Sequence, residues 1–218
     1  MSTSVVAAAH RVPRRVLLLG AIAAAAAVAV VSISTPATTQ AAPNVEPIKA
    51  AINGALVSQQ VAALPPASQG SRALLAADVQ TVSARGRSDM AKYFGKDELT
   101  RRDAVLDQRL ERQATGDIRY LAGGVSRTVI TSLNTCANGV PPVLPGSSGP
   151  PATPLPCDYA VATVEADVWL DIAQVQPDGS LVVAHPKNTM LFTLQLQLIN
   201  GSWLVVDEES KYAPGSEP

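Results

Sequence analysis

Glu165, Asp167 and Asp171 lie in a segment that alternates apolar and polar residues, so all three project from one face of a strand. Paired carboxylates on one face can divide general acid and general base between them when their environments separate their pKa values. The opposite face of the same segment, Ala160, Ala162, Val164, Ala166, Val168, Leu170 and Ile172, is wholly apolar. It must be the side that packs, which leaves the three carboxylates on a solvated surface. His185 precedes Pro186 in a break between apolar runs and reads as a turn residue, with a catalytic base as its alternative. Tyr120, Tyr159 and Trp169 read as packing or interface residues and Trp203 as core. The chain contains no Gly-x-Ser-x-Gly elbow, no glycine-rich phosphate loop and no Cys/His pairing. On these residues no catalytic, cofactor-binding or metal-binding side chain is assigned, and no cofactor is expected.

The two cysteines, Cys136 and Cys157, bracket a stretch with seven prolines. A zinc site would need two further ligands, and His185 is the only histidine after the first 15 residues. A disulfide closing the loop is the natural reading in an oxidising compartment, contributing roughly 3 kcal/mol by loop entropy. The intervening residues 137–156 show no regular pattern and could serve as a partner-binding loop or as variable filler.

Residues 1–42 bear on the compartment. Arg11, Arg14 and Arg15 precede a nearly unbroken apolar run from Val16 to Ser34. Its nineteen residues would make a helix of about 28 Å, close to the ~30 Å hydrocarbon thickness of a bilayer. Arginines on one side only keep the N-terminus cytoplasmic and send the remainder across. The same pattern describes a signal peptide, with small residues Thr39 and Ala41 before a cut between Ala41 and Ala42. Anchor and cleaved leader both remain open. Arg14-Arg15 is also similar to a twin-arginine signal, although Pro13 stands where Ser or Thr is usual.

Of 17 basic side chains three lie in this head, and all 18 acidic ones follow Ala42, so the exported part carries a net charge of −4. That excludes the basic footprint of a nucleic-acid binder. Arg85, Arg87, Lys92, Lys96, Arg101 and Arg102 are locally dense but interleave with Asp89, Asp97, Glu98 and Asp103. Asp97→Arg101 and Glu98→Arg102 stand four apart on a helix and read as a solvated face.

The positioning elements follow from periodicity. Ile48, Ile52 and Leu56 predict a helix ended by Pro65-Pro66, either packed on the domain or extending a stalk. Leu74, Leu75, Val79 and Val82 predict a second, broken at Gly86; Ser88-Asp89 caps a short one carrying Met90, Tyr93 and Phe94. A third runs from Asp97 to Thr115, with Leu99, Leu106 and Leu110 inward. From Ile118 the period becomes two, with a bulge or bend at Gly123-Gly124. The strand after Cys157 turns at Pro177-Asp178-Gly179 into Leu181–Val183. A further strand places Met190, Phe192, Leu194, Leu196 and Leu198 on one face. Asn200-Gly201 predicts a tight hairpin into Trp203–Val206, with Asp207-Glu208-Glu209 ending the strand. The fold class is α+β: an N-terminal membrane or signal helix, then helices packed on a curved antiparallel sheet of at least four strands.

Two stretches carry a family resemblance. The segment from Val79 to Phe94 resembles the helix, small polar break and short aromatic-ended helix of nuclear-transport-factor-2-like domains. Leu198 to Asp207 is similar to their closing Asp/Asn-Gly-x-Trp hairpin. The group includes SnoaL-like enzymes, Mce-associated proteins and VirB8/TcpC-type secretion components. The resemblance implies a cone-shaped domain over residues 70–210, behind a basic head (1–15), a membrane or signal helix (16–34) and a stalk with a helix (35–69), and before a disordered tail (211–218). It implies a cone lined by Val168, Leu170, Phe192, Leu194 and Leu196. The expected function is a non-catalytic accessory or scaffold domain of a cell-envelope assembly, Mce-type transport or secretion and conjugation, membrane-tethered with the domain extracytoplasmic, or secreted. Its partners would be the membrane, through the N-terminal helix if retained, and envelope proteins, not nucleic acid. The alternatives are a secreted protein binding a small apolar ligand, and a SnoaL-like isomerase or cyclase.

Overall fold

The computed structural model describes residues 44–66, 74–116, 118–136, 139–146 and 152–217. The basic head, the apolar run 16–34 and the cleavage positions Ala41 and Ala42 lie outside the described residues. Among those described, no helix is long and apolar enough to cross a membrane.

Among the described residues three helices, α1 (Glu46–Val61), α2 (Ala76–Met90) and α3 (Lys96–Ala114), precede the strands. The first is not a free stalk. Ile48, Ile52 and Leu56 fall on one helical face and are at most 2% exposed, in one core with Val82, Leu106 and Leu110. An apolar stripe of this kind must be covered, and here α2 and the sheet cover it. Gly86 does not break α2, which runs on to Met90 without the predicted cap at Ser88. A Cβ on Gly86 would lie 2.7 Å from the Ala62 carbonyl oxygen, so glycine is there to let the end of α1 approach α2.

The strands are β1 (Ile118–Thr135), β2 (Val143–Leu144), β3 (Thr153–Pro154), β4 (Tyr159–Val175), β5 (Leu181–Ala184), β6 (Lys187–Ile199) and β7 (Ser202–Tyr212). Five of them form an antiparallel sheet in the order β1-β4-β6-β7, with β5 also paired to β4. The α+β reading and the strand parity hold: Ala160, Ala162, Val164 and Ala166 are fully buried. Asn200 (φ 50°) and Gly201 (φ 81°) make the predicted tight turn. In β1 the register shifts fall at Tyr120/Ala122, Val125/Arg127 and Ile130/Ser132, flanking Gly123-Gly124 instead of centring on it. The glycines make room: a Cβ on Gly123 would meet Leu170 Cδ1 at 2.8 Å, and one on Gly124 the Trp169 indole nitrogen at 3.4 Å. Repeated bulges also bend the long edge strand and blunt it against pairing with other chains.

Three further expectations are corrected. Cys136 and Cys157 are joined, as expected, with Cα atoms 4.9 Å apart, but the loop they close contains the small ladder β2–β3. Pro154 is tolerated there because a two-stranded ladder has an outer edge that asks for no donor. The final strand does not end at Asp207-Glu208-Glu209 but continues to Tyr212, paired with Met190. The tail is tied back: the Ala213 amide donates to Thr189 O (2.9 Å) and the Thr189 amide to Ser216 Oγ (2.6 Å).

Candidate functional site

A bulge decides which side chains β7 sends inward. Leu196 pairs with Val205, but Gln195 pairs with Asp207, so Val206 is the extra residue. Before it Val205 points to the helices; after it the parity flips, and Glu208, Ser210 and Tyr212 stand opposite the inward-facing Leu194, Phe192 and Met190. The turn between α2 and α3 fixes this point. The Gly95 amide donates to Val205 O and the Val205 amide to Tyr93 O, both at 2.8 Å, and Phe94 bridges to Val205. Gly95 lets the strand in: a Cβ there would meet Val206 Cγ1 at 2.9 Å. Since α3 begins at the next residue, its first turns lie against the bulge.

That contact assembles a buried polar cluster. Glu98 is fully buried and pairs with Arg101 (2.7 Å) and Arg102 (2.5 Å). Arg102 also reaches Glu208 Oε1 at 3.3 Å and donates to Gln59 Oε1 at 3.0 Å. Gln59 Nε2 donates to the Glu208 carboxylate at 3.3 and 3.4 Å. Arg101 extends outward to Asp207 at 2.7 Å, and Arg102 lies over the Phe94 ring, 5.7 Å from its centroid. The pair Glu98/Arg102 is thus not the solvated face expected of it. Burial pushes the Glu208 carboxyl above its ordinary range, more than Arg102 and the Gln59 hydrogen bond pull it down.

Three members of the cluster, Gln59, Arg102 and Glu208, line a cavity of about 350 Å³. Val168, Leu170 and Ile172 from β4 with Met190 and Phe192 from β6 give it an apolar wall; Gln59, Arg102, Arg109 and Glu208, with Asn188 and Ser210, give it a polar lining. This volume is at the lower end of the range for small-molecule sites. Of the five expected lining residues, Val168, Leu170 and Phe192 do line it. Leu194 and Leu196 do not: they are fully buried in the hydrophobic core, opposite Ala162 and Ala160. Arg109, partly buried, donates from Nη1 to Gln59 O (3.1 Å), and burial pushes its pKa down from an arginine's ordinary value.

The remaining candidates sit elsewhere. Asp167 and Glu165 lie on the other face of β4, where Arg127 bonds both carboxylates; Asp167 is also 3.6 Å from Lys187 Nζ and accepts from Thr189 Oγ1 at 2.9 Å. His185 is exposed between β5 and β6, with Nδ1 2.7 Å from Asp171 Oδ1. Neither group reaches the cavity lining. Among the described residues no cluster could hold a metal ion. Glu208, Gln59 and Arg109 escaped the sequence reading. For Glu208 the bulge hid its direction. For Arg102 a signal existed: Glu98, Arg102, Leu106 and Leu110 are successive four-residue steps along one helical line.

No family model and no curated protein matches the chain. A solved structure it is similar to is the intermembrane-space region of the chloroplast protein ARC6, with 9% identity over 58% of this chain and 78% of that one and a TM-score of 0.38.

Proposed function

We propose that this chain is an extracytoplasmic accessory domain of a cell-envelope assembly, of the nuclear-transport-factor-2-like kind, held at the membrane or released from it. The observation that carries the extracytoplasmic half is the Cys136–Cys157 bond, a device of oxidising compartments, in a chain whose first residues have the pattern of an export leader. That it works by binding is supported by how the cavity's acid is held: Glu208 is engaged by Arg102 and Gln59, which suits a structural anchor better than a proton carrier. Mce-type transport and secretion or conjugation machinery are the envelope assemblies this layout suits.

Thiol labelling of whole cells followed by fractionation tests the proposal. A full-length, membrane-bound chain with unreactive cysteines is the expected result for an anchor. A mature chain beginning near Ala42 in the medium makes it a released domain, and a cytosolic product with reactive thiols overturns the proposal. The cavity favours a second reading, a secreted or tethered binding protein for a small, largely apolar ligand, because its wall is built by five apolar side chains from two strands.

A further inference from the structure

Arg109 differs from every other cation near the cavity. Arg102 is neutralised by Glu98 and Glu208, and Arg101 by Glu98 and Asp207. Arg109 receives no carboxylate among the described residues; it donates to a backbone carbonyl, Gln59 O at 3.1 Å. Yet it is partly buried and lines the cavity beside the apolar wall of β4 and β6. A guanidinium cannot shed its charge in a protein, so withdrawing one from water without an anion is costly. Burial pushes its pKa down, against the pull of Tyr120, and the neighbouring Arg102 charge adds to the push.

We infer that the cavity takes a small organic carboxylate with an apolar body, its carboxylate bound by Arg109 and its body laid against Val168, Leu170 and Phe192. A guanidinium presents a planar fork that matches a carboxylate, and the bond is strongest where water is excluded. Glu208 shapes the choice. Glu208 lines the same cavity as Arg109, so a dianion would meet repulsion that a single carboxylate beside Arg109 avoids. The inference rests on the cavity being a binding site and adds the charge of the ligand.

The test uses the full chain in lipid nanodiscs, titrated calorimetrically with naphthoate and with uncharged naphthamide, empty discs serving as the blank. The wild type should bind naphthoate about tenfold more tightly than naphthamide, the worth of one charge-assisted hydrogen-bonded contact. Arg109→Met should abolish that preference while binding naphthamide as the wild type does, and Arg109→Lys should retain most of it. Equal affinities in the wild type overturn the anion assignment and leave the apolar site standing. No binding of either probe overturns both. Loss of naphthamide binding in Arg109→Met would make Arg109 a wall support and overturn its role as counter-ion.

Discussion

The two faces of the sheet carry the same chemistry in different surroundings. Each holds a guanidinium gripped by two carboxylates: Arg102 between Glu98 and Glu208 on the helix-covered face, Arg127 between Glu165 and Asp167 on the open one. On the covered face the carboxylates are at most 1% exposed and the arginine 19%; Arg127 on the other is 46% exposed. Burial therefore, not residue type, separates a network that shapes a cavity from one that decorates a surface. A buried pair gains little over an apolar core but is very costly to break, whereas an exposed one is screened and weak.

The largest expected effect follows from removing the shared cation on the covered face. Arg102→Met leaves two buried carboxylates facing each other's field and should cost about 3–5 kcal/mol in urea unfolding of the full chain. Replacing Glu98 and Glu208 by Leu in the same background should restore most of that loss, because an apolar trio needs no compensation. If the triple variant is as weak as the single one, the cluster contributes through its hydrogen bonds to Gln59 and not through charge balance.

Next in size is the covalent tie at the sheet end common to both faces. Cys136→Ala with Cys157→Ala should cost roughly 3 kcal/mol by the loop-entropy model. The register of β1 on β4 already reaches Thr135↔Ala160, so the ladder itself should survive, and amide exchange at Thr135 and Ala160 should rise without spreading along the strands. Exchange spreading to Tyr120 would show that the bond, and not the cross-strand packing, holds β1 in place.

A smaller effect distinguishes the faces by sign. Burial raises the Glu208 carboxyl above its unfolded value of about 4.3, so the folded state holds the proton more tightly. Its contribution to stability is greatest below that unfolded value and declines as pH rises through the folded pKa. Hydrogen bonds from Arg127 and then Thr189 hold the Asp167 carboxyl below its usual range, which gives the opposite slope: stability present above about pH 3.9 and lost as pH falls through the lowered pKa. Glu208→Gln should flatten the fall in stability with rising pH above about 4.3, and Asp167→Asn should flatten the fall at acid pH. Unfolding midpoints across that range would read both, and equal slopes of one sign would contradict the contrast.

Much of this contrast is legible in the chain, but unevenly. The alternation from Ala160 to Ile172 is long enough to fix which face of β4 packs, and it correctly puts Glu165, Asp167 and Asp171 outside. The Cys136–Cys157 pair and the Asn200-Gly201 turn are local signals that nothing tertiary overrides. The cavity was less accessible. Its acid, Glu208, lies past a one-residue bulge that reverses parity, and three consecutive acidic residues, Asp207 to Glu209, offer no alternation from which to detect it. Glycines misled in the same way: Gly86 reads as a helix end when its local propensity is considered, but the need for α1 to approach closely keeps it inside α2. What failed were inferences about local order at places where a tertiary contact supplies the reason for the residue.

The smallest expected effect is on the open face. Arg127→Ala removes the bonds to Glu165 and Asp167, but Lys187 lies 3.6 Å from Asp167 and Thr189 Oγ1 still donates to it. Water can solvate whatever is released, so the urea midpoint should move by much less than for Arg102→Met. The change should appear instead in the titration of Asp167, whose carboxyl NMR signal should shift toward its ordinary pKa, since Arg127 is the first cause of its depression. High salt should shrink the difference between variant and wild type, because exposed charges are screened over about a Debye length. A loss of stability comparable to that of Arg102→Met would mean that Arg127 works in a dry setting, which in this fold requires another surface seated on the outer face of β4.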